Sequence, residues 1–289
     1  MKLPQIILIV ILSFVVAFVT ARYFVPSNNS EVIAPEESAY SRVIRTGTLR
    51  CGYAAFAPYF TKDANTGAYG GIWYEFSEAV AAHLGLKIQW EEVGSSDIGT
   101  ALDTKKIDAY CAALASAGKR GRVIDFLNPS AFEPVLVYVR PDDHRFDDNI
   151  NLINDPDVKV STKDGEFGGI AAAEDFPKAT FVSLPQLAEY ADVFNQVVTK
   201  KADVLLAAPV GAAAFLKNNP GALRPILSKP IRIFPEALGG VKYGENELRD
   251  MLNQAQDDVI YNGILDKIFD KYEVKKSEIW RVAKPYEQP

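Results

Sequence analysis

Along this chain, short continuous apolar runs alternate with apolar positions spaced three and four residues apart. That alternation predicts a succession of buried strands and amphipathic helices. Residues 43–53 read as a basic helix end, a Gly turn and a first strand, and an aromatic loop, 54–60, follows. After the Gly-rich turn at Gly67, Gly70 and Gly71, the positions Ile72, Phe76, Ala79, Val80 and Leu84 repeat at helical spacing, and Gly85 stops the helix. His83, beside that face, is read as a packed histidine rather than a ligand. Residues 87–93 form a second strand, and 97–106 a short helix opened by Ser95 and Ser96, which are good capping residues. The run 109–117 is a third strand, too short and too rich in small residues to be a helix. Strand–helix order with short connections implies a parallel sheet with right-handed crossovers.

A long extended run, 131–140, separates this set from a second one. There the strands are 158–161, 180–183 and 203–207, and the helices are 166–175, 186–200 and 210–217. Residues 238–243 are again extended, two helices cover 246–261 and 264–272, and the tail holding Trp280 is expected to pack back on the body. The chain therefore reads as two α/β units rather than one sheet with a shared period.

The third strand is the organising feature, because its small-residue end leads into Lys119, Arg120 and Arg122. In open α/β sheets ligands bind at the carboxyl ends of the strands. A guanidinium there suits a carboxylate, because its planar fork makes two parallel charged hydrogen bonds. A solvated basic turn is the alternative reading of the same residues.

Lys2 precedes an uncharged stretch, 6–19, and the apolar character continues to Val25 with only Arg22 interrupting it. Residues 1–25 are long enough to cross a bilayer, which takes about 20 residues. They are equally readable as a signal peptide with a cleavage site after Ala21. Either way the positive end stays in the cytoplasm and the body is exported, to the periplasm. Residues 26–40 read as a polar linker. The 289 residues carry 31 Lys and Arg against 37 Asp and Glu, a net charge of −6, without a basic stripe, so nucleic acid is excluded as a partner. Two His and two Cys leave no room for a His/Cys metal site, and no cofactor is expected.

TGTLRCGYAAFAPYF, GGIWYEFSEAVAAHLGL, ALDTKKIDAYCAALASAGKRGRVIDF and ELRDMLNQAQDDVIYNGILDKIFDKY, spread over 41–272, resemble the extracellular solute-binding proteins of family 3, the polar amino-acid receptors of ABC importers. The resemblance implies a two-lobed α/β fold of the periplasmic-binding-protein type (type II), with two extended crossovers at 134–140 and 238–243. Lobe one would be 41–133 with 243–289, and lobe two 138–238. It implies a small carboxylate-bearing ligand held by Arg120, with Tyr53, Phe56 and Tyr59 as covering aromatic rings. It also exposes departures. Ala112, Ala113 and Ala115 stand where the family usually has hydroxyls. Ala208 or Pro209 stands at the amine-binding Asp, Glu166 at a Thr, and Trp73 at an acidic position. A buried ammonium without a counter-charge is costly, so an α-amino acid held in the usual way fits poorly, and Glu166 or Asp164 is placed to hold a cation from another direction.

The implied partners are the membrane subunits of an ABC importer, with the membrane reached through the N-terminal segment. The rival reading is a solute-binding-like domain repurposed as a structural or sensory module of an envelope complex. An enzyme would need a general acid or base in the cleft. Glu75, Glu92, Glu133 and Glu166 are available, but no spacing singles one out, and they read as surface acids. Cys51 and Cys111 fall on neighbouring strands of an exported body, where a disulfide is possible, with two buried thiols as the default.

Overall fold

The computed structural model describes residues 11–18, 20, 37–115, 120–226, 229–272, 274–276 and 278–282. The chain divides into two compact units, Met1–Glu37 and Ser38–Pro289. In the first, residues 11–18 and 20 are helical. Among the described residues no helix is long and apolar enough to cross a membrane. The expected anchor or signal segment, 1–25, lies largely outside the described residues, as does most of the linker.

The second unit opens with helix Ala39–Thr46, whose N-cap Ser38 accepts from the Ser41 N–H. Gly47 ends it in the left-handed region at φ 62°, where a side chain would be strained. The chain then enters strand β1 (Thr48–Tyr53), which pairs in parallel with β4 (Lys87–Glu92) on one side and β5 (Ala109–Tyr110) on the other. β14 (Gly240–Lys242) and β7 (Ile124–Phe126) complete the sheet in the order β4-β1-β5-β14-β7. Helix Ile72–His83 buries Ile72, Trp73, Phe76 and Val80 against it, and helices Asn246–Tyr261 and Ile264–Lys271 pack on the same core. Asp108 ties the start of β1 to β5. Its buried carboxylate accepts from Arg42, from Arg50 Nη2 at 2.6 Å and from the Arg50 backbone N–H at 2.8 Å.

The second sheet contains β10 (Thr180–Leu184), β9 (Lys159–Lys163), β11 (Val204–Ala207), β8 (Pro129–Val139), β13 (Arg232–Ala237) and β6 (Leu114–Ala115), in that order. β9 pairs in parallel with both β10 and β11, as the strand–helix alternation requires, while β8 runs antiparallel to β11 and to β13. Helices Phe167–Asp175, Tyr190–Val198 and Pro209–Asn218 follow β9, β10 and β11. The tail returns as a short strand, Trp280–Arg281, on β8.

Four expectations are corrected. The strand expected over 109–117 breaks after Tyr110, and the chain reaches the other sheet as β6. The second crossover is β13, six residues earlier than expected. Residues 238–243 are a bend at Leu238 and Gly239 followed by β14. Gly239 has φ 126°, and a Cβ there would lie 1.8 Å from the Tyr110 carbonyl oxygen, so the bend demands glycine. Cys51 and Cys111 are disulfide-bonded, not two thiols, with Cα atoms 5.4 Å apart. The ladder between β1 and β5 ends at Gly52 and Tyr110, so Cys111 lies just past it and can turn to meet Cys51. Finally, His83 is exposed at the helix end and meets Asp258 at 3.1 Å rather than packing inward.

Candidate functional site

The carboxyl ends of β1, β5 and β9 converge on a cavity of about 90 Å³. One wall is the loop after β1, with Ala54, Phe56 and Tyr59, together with Ala112 and Ala113 beyond β5. The opposite wall is the turn after β9, with Lys163, Asp164, Gly165 and Glu166, and Tyr190 from the next helix. The floor is made by the long antiparallel pair β8 and β13, through Glu133 and Glu236. The walls touch at several points. Phe56 meets Tyr190 edge-on with ring centroids 4.1 Å apart, Ser96 N–H donates to Gln186 Oε1 at 3.1 Å, and Gln186 Nε2 donates to Asp97 at 3.1 Å.

Arg120 stands in the 3-10 turn Arg120–Arg122, just before β7, and lines the cavity. Its Nη2 donates to the carbonyl of Gly165 on the opposite wall at 2.5 Å. Burial pulls its guanidinium below the ordinary value, with Tyr110 and Glu166 opposing. It remains a cation, because arginine does not deprotonate in proteins. Gly165, at φ 76°, makes the turn that presents this carbonyl.

Glu166 caps helix Phe167–Asp175, its carboxyl accepting from the Gly169 N–H at 3.3 Å. A Cβ on Gly168 would lie 2.1 Å from the Leu206 carbonyl oxygen, so only glycine lets this helix start close against β11 and carry Glu166 into the cavity. Burial pushes the Glu166 carboxyl up to about 7, against the pull of Gly168, Gly169, Lys163 and Tyr190. Glu133 accepts from the Tyr59 hydroxyl, yet burial pushes it up to about 8. Glu236 is pushed well up by burial and then by the neighbouring Glu133. Its Oε2 is buried without a hydrogen-bond partner among the described residues. Burial likewise raises the Tyr59 and Tyr190 hydroxyls.

Of the residues singled out from sequence, Arg120, Phe56, Tyr59, Ala113 and Glu166 line one cavity. Tyr53 lies outside that lining. It is buried in the core, stacked on Phe60 at 4.4 Å, because it sits on the strand and not on the loop after it. Ala208 is likewise outside the lining, buried at the N-cap of helix Pro209–Asn218. The backbone of Ala115 pairs with Glu236. Trp73 is wholly buried, edge-on to Phe76 and Phe269. The four carboxylates read as surface acids separate into two kinds. Glu75 is bound by Lys271 and Tyr272 outside the cavity and Glu92 is exposed, whereas Glu133 and Glu166 line the cavity, Glu133 buried and Glu166 half-buried. Glu236 was missed altogether. The signal available was an acid inside the strand-like run IRIFPEALGG, where an unpaired charge is expensive and so calls for a reason.

The profile of the bacterial extracellular solute-binding proteins, family 3, matches residues 49–275. An L-arginine-binding protein of Pseudomonas aeruginosa is 24% identical over 233 residues, which are 78% of this chain and 87% of that protein. Among solved structures, the ancestral amino acid-binding protein AncCDT-1, a precursor of cyclohexadienyl dehydratase, superposes with a TM-score of 0.71 at 26% identity, covering 82% of this chain and 99% of its own. A histidine kinase sensor domain with similarity to periplasmic binding proteins has the same fold, with a TM-score of 0.67 at 21% identity over 78% of this chain and 95% of its own.

Proposed function

The chain belongs to family 3 of the bacterial extracellular solute-binding proteins, and from that premise we propose that it is a periplasmic receptor that captures a small carboxylate-bearing, amino-acid-like solute for the membrane subunits of an ABC importer. Residues 1–25 serve as its signal peptide or anchor. The solute occupies the cavity between the two sheets, with its carboxylate on Arg120 and its body against Phe56 and Tyr59. The observation that carries this reading is the position of Arg120, whose guanidinium leaves one wall, enters the cavity and reaches the backbone of the other. A solute carboxylate can take over that fork and remain within reach of the Gly165–Glu166 turn. The site would then open and close on β8 and β13, the long strands that make its floor. The lobes would divide at these two strands, lobe one holding the sheet of β1, β5 and β14 and lobe two the sheet of β9, β10 and β11.

The reading is of a binder rather than a catalyst, since an L-arginine-binding protein matches over 78% of this chain. A thermal-shift screen of amino acids, organic acids and short peptides tests it. A ligand at about 100 times its Kd stabilises the folded state by about 2.7 kcal/mol. A rise in Tm with a carboxylate-bearing solute, absent for its amide or ester, is the expected result. A flat response across the panel would turn the assignment toward a structural or sensory module.

A further inference from the structure

The floor of the cavity carries chemistry that carboxylate binding does not use. Glu133 and Glu236 lie on adjacent antiparallel strands, with Glu236 opposite Ala131 and Phe234 opposite Glu133. The two acids are thus diagonal neighbours on one face of the pair, within mutual reach. Both line the cavity, with only 2% and 3% of their surface exposed. One Glu133 oxygen is held by the Tyr59 hydroxyl, while Oε2 of Glu236 faces no donor among the described residues. A buried acceptor left unpaired costs about 1–3 kcal/mol, so such an atom in a ligand cavity points to a donor brought by the ligand.

The charged and titratable groups around this pair are Tyr59, Tyr110, Tyr190, Asp164, Glu166, Arg120 and Lys163. Lys163 acts on Glu166, while the charge that bears on Glu236 is Glu133, another acid. Two carboxylates side by side on a buried floor resist ionising together, so without a cation at least one of them keeps its proton.

We propose that Glu133 and Glu236 form a cation subsite that takes the ammonium or guanidinium group of the bound solute in exchange for a proton. This rests on the solute-binding reading above. The arriving cation pairs with the carboxylate, the displaced carboxyl proton passes to the solvent, and the bound solute is held between Arg120 at one end and the acidic floor at the other. The carboxylates of the hinge strands thereby supply the counter-charge missing at Ala208 and Pro209. Affinity for a cationic solute rises with pH by about tenfold per unit for each proton released, as long as the floor is protonated in the free protein.

The test is calorimetry on the purified full chain in two buffers of different ionisation enthalpy at pH 6 and pH 8. The probes are L-arginine, L-lysine and L-norleucine, which bring an ammonium or guanidinium group, against the carboxylates 5-ureidopentanoate and hexanoate, which bring none. A cationic probe is expected to bind at least about 10-fold more tightly than its cation-free counterpart, the free energy of one buried charge-assisted pair, and to release a proton. Glu236→Gln should abolish both the preference and the proton release. That variant also reports without any ligand. It spares the apo protein an ionisable group on the floor, so its Tm should exceed the parent's at pH 8 and match it at pH 5. Hexanoate or 5-ureidopentanoate binding as tightly as the cations overturns the proposal and leaves the solute-binding reading intact. A Glu236→Gln protein that melts below the parent at pH 8 overturns it by making Glu236 structural. Failure of every probe, charged and neutral, removes the solute-binding reading and this inference together.

Discussion

Raising the pH from 5 to 8 should destabilise the ligand-free protein. The buried carboxyls set the sign. Glu166 ionises at about 7 in the folded state and Glu133 at about 8, against an ordinary 4.5. The unfolded chain therefore gives up these protons first, and between 4.5 and the folded values the native state binds more protons than the unfolded one. Stability is full below about 4.5 and falls as pH rises through that interval. The loss is about 3 kcal/mol for Glu166 and about 5 kcal/mol for Glu133. The two losses combine, so at least the larger of them, about 4–5 kcal/mol, is expected by pH 8. Groups shifted the other way do not interfere. Asp143 is lowered by Arg145, and Glu75 is lowered through Lys271 and Tyr272 against its own desolvation, so both lose their contribution only in more acid solution. Urea unfolding at pH 5, 6, 7 and 8, followed by the fluorescence of buried Trp73, reads the free energy at each pH. A curve that is flat, or that rises from pH 5 to pH 8, would refute the claim that desolvation holds the cavity acids protonated in the free protein.

Asp108→Ala leaves Arg42 and Arg50 facing each other without their shared carboxylate, and should lower the unfolding free energy by about 3–5 kcal/mol in urea melts. Gly239→Ala forces a Cβ against the Tyr110 carbonyl at the bend between β13 and β14, and circular dichroism should show it largely unfolded or melting well below the parent. The Cys51–Cys111 bond joins residues 60 apart in sequence. Reduction should lower stability by about 4 kcal/mol in the chain-entropy picture, and alkylation under denaturing conditions should label no thiol unless reductant is added.

The alternation of elements was legible because each strand and helix carries its own period. Helix Ile72–His83 and the closing helices Asn246–Tyr261 and Ile264–Lys271 fall within a residue or so of where their apolar spacing puts them. The break after Tyr110 was not legible, because 109–117 is uniformly small and apolar and contains no signal of a change of sheet. The placement of Arg120 at the cavity followed from strand polarity, a rule of topology that the sequence does carry. The acidic floor did not follow. Glu133 and Glu236 are more than 100 positions apart, and only the pairing of β8 with β13 makes them neighbours. Tyr53 was misplaced for a related reason. Whether the last residue of a strand faces the cleft or the core depends on where the strand ends, and boundaries are the least certain part of such a reading.

The central claim is that a solute carboxylate binds Arg120 in the cavity between the sheets. Calorimetric titration of L-arginine into the parent protein and into Arg120→Ala measures it directly. The account predicts saturable one-to-one binding to the parent and a loss of at least about 100-fold in the variant, the worth of a charge-assisted pair, with Tm unchanged within a few degrees. Equal affinity in the two proteins would contradict it.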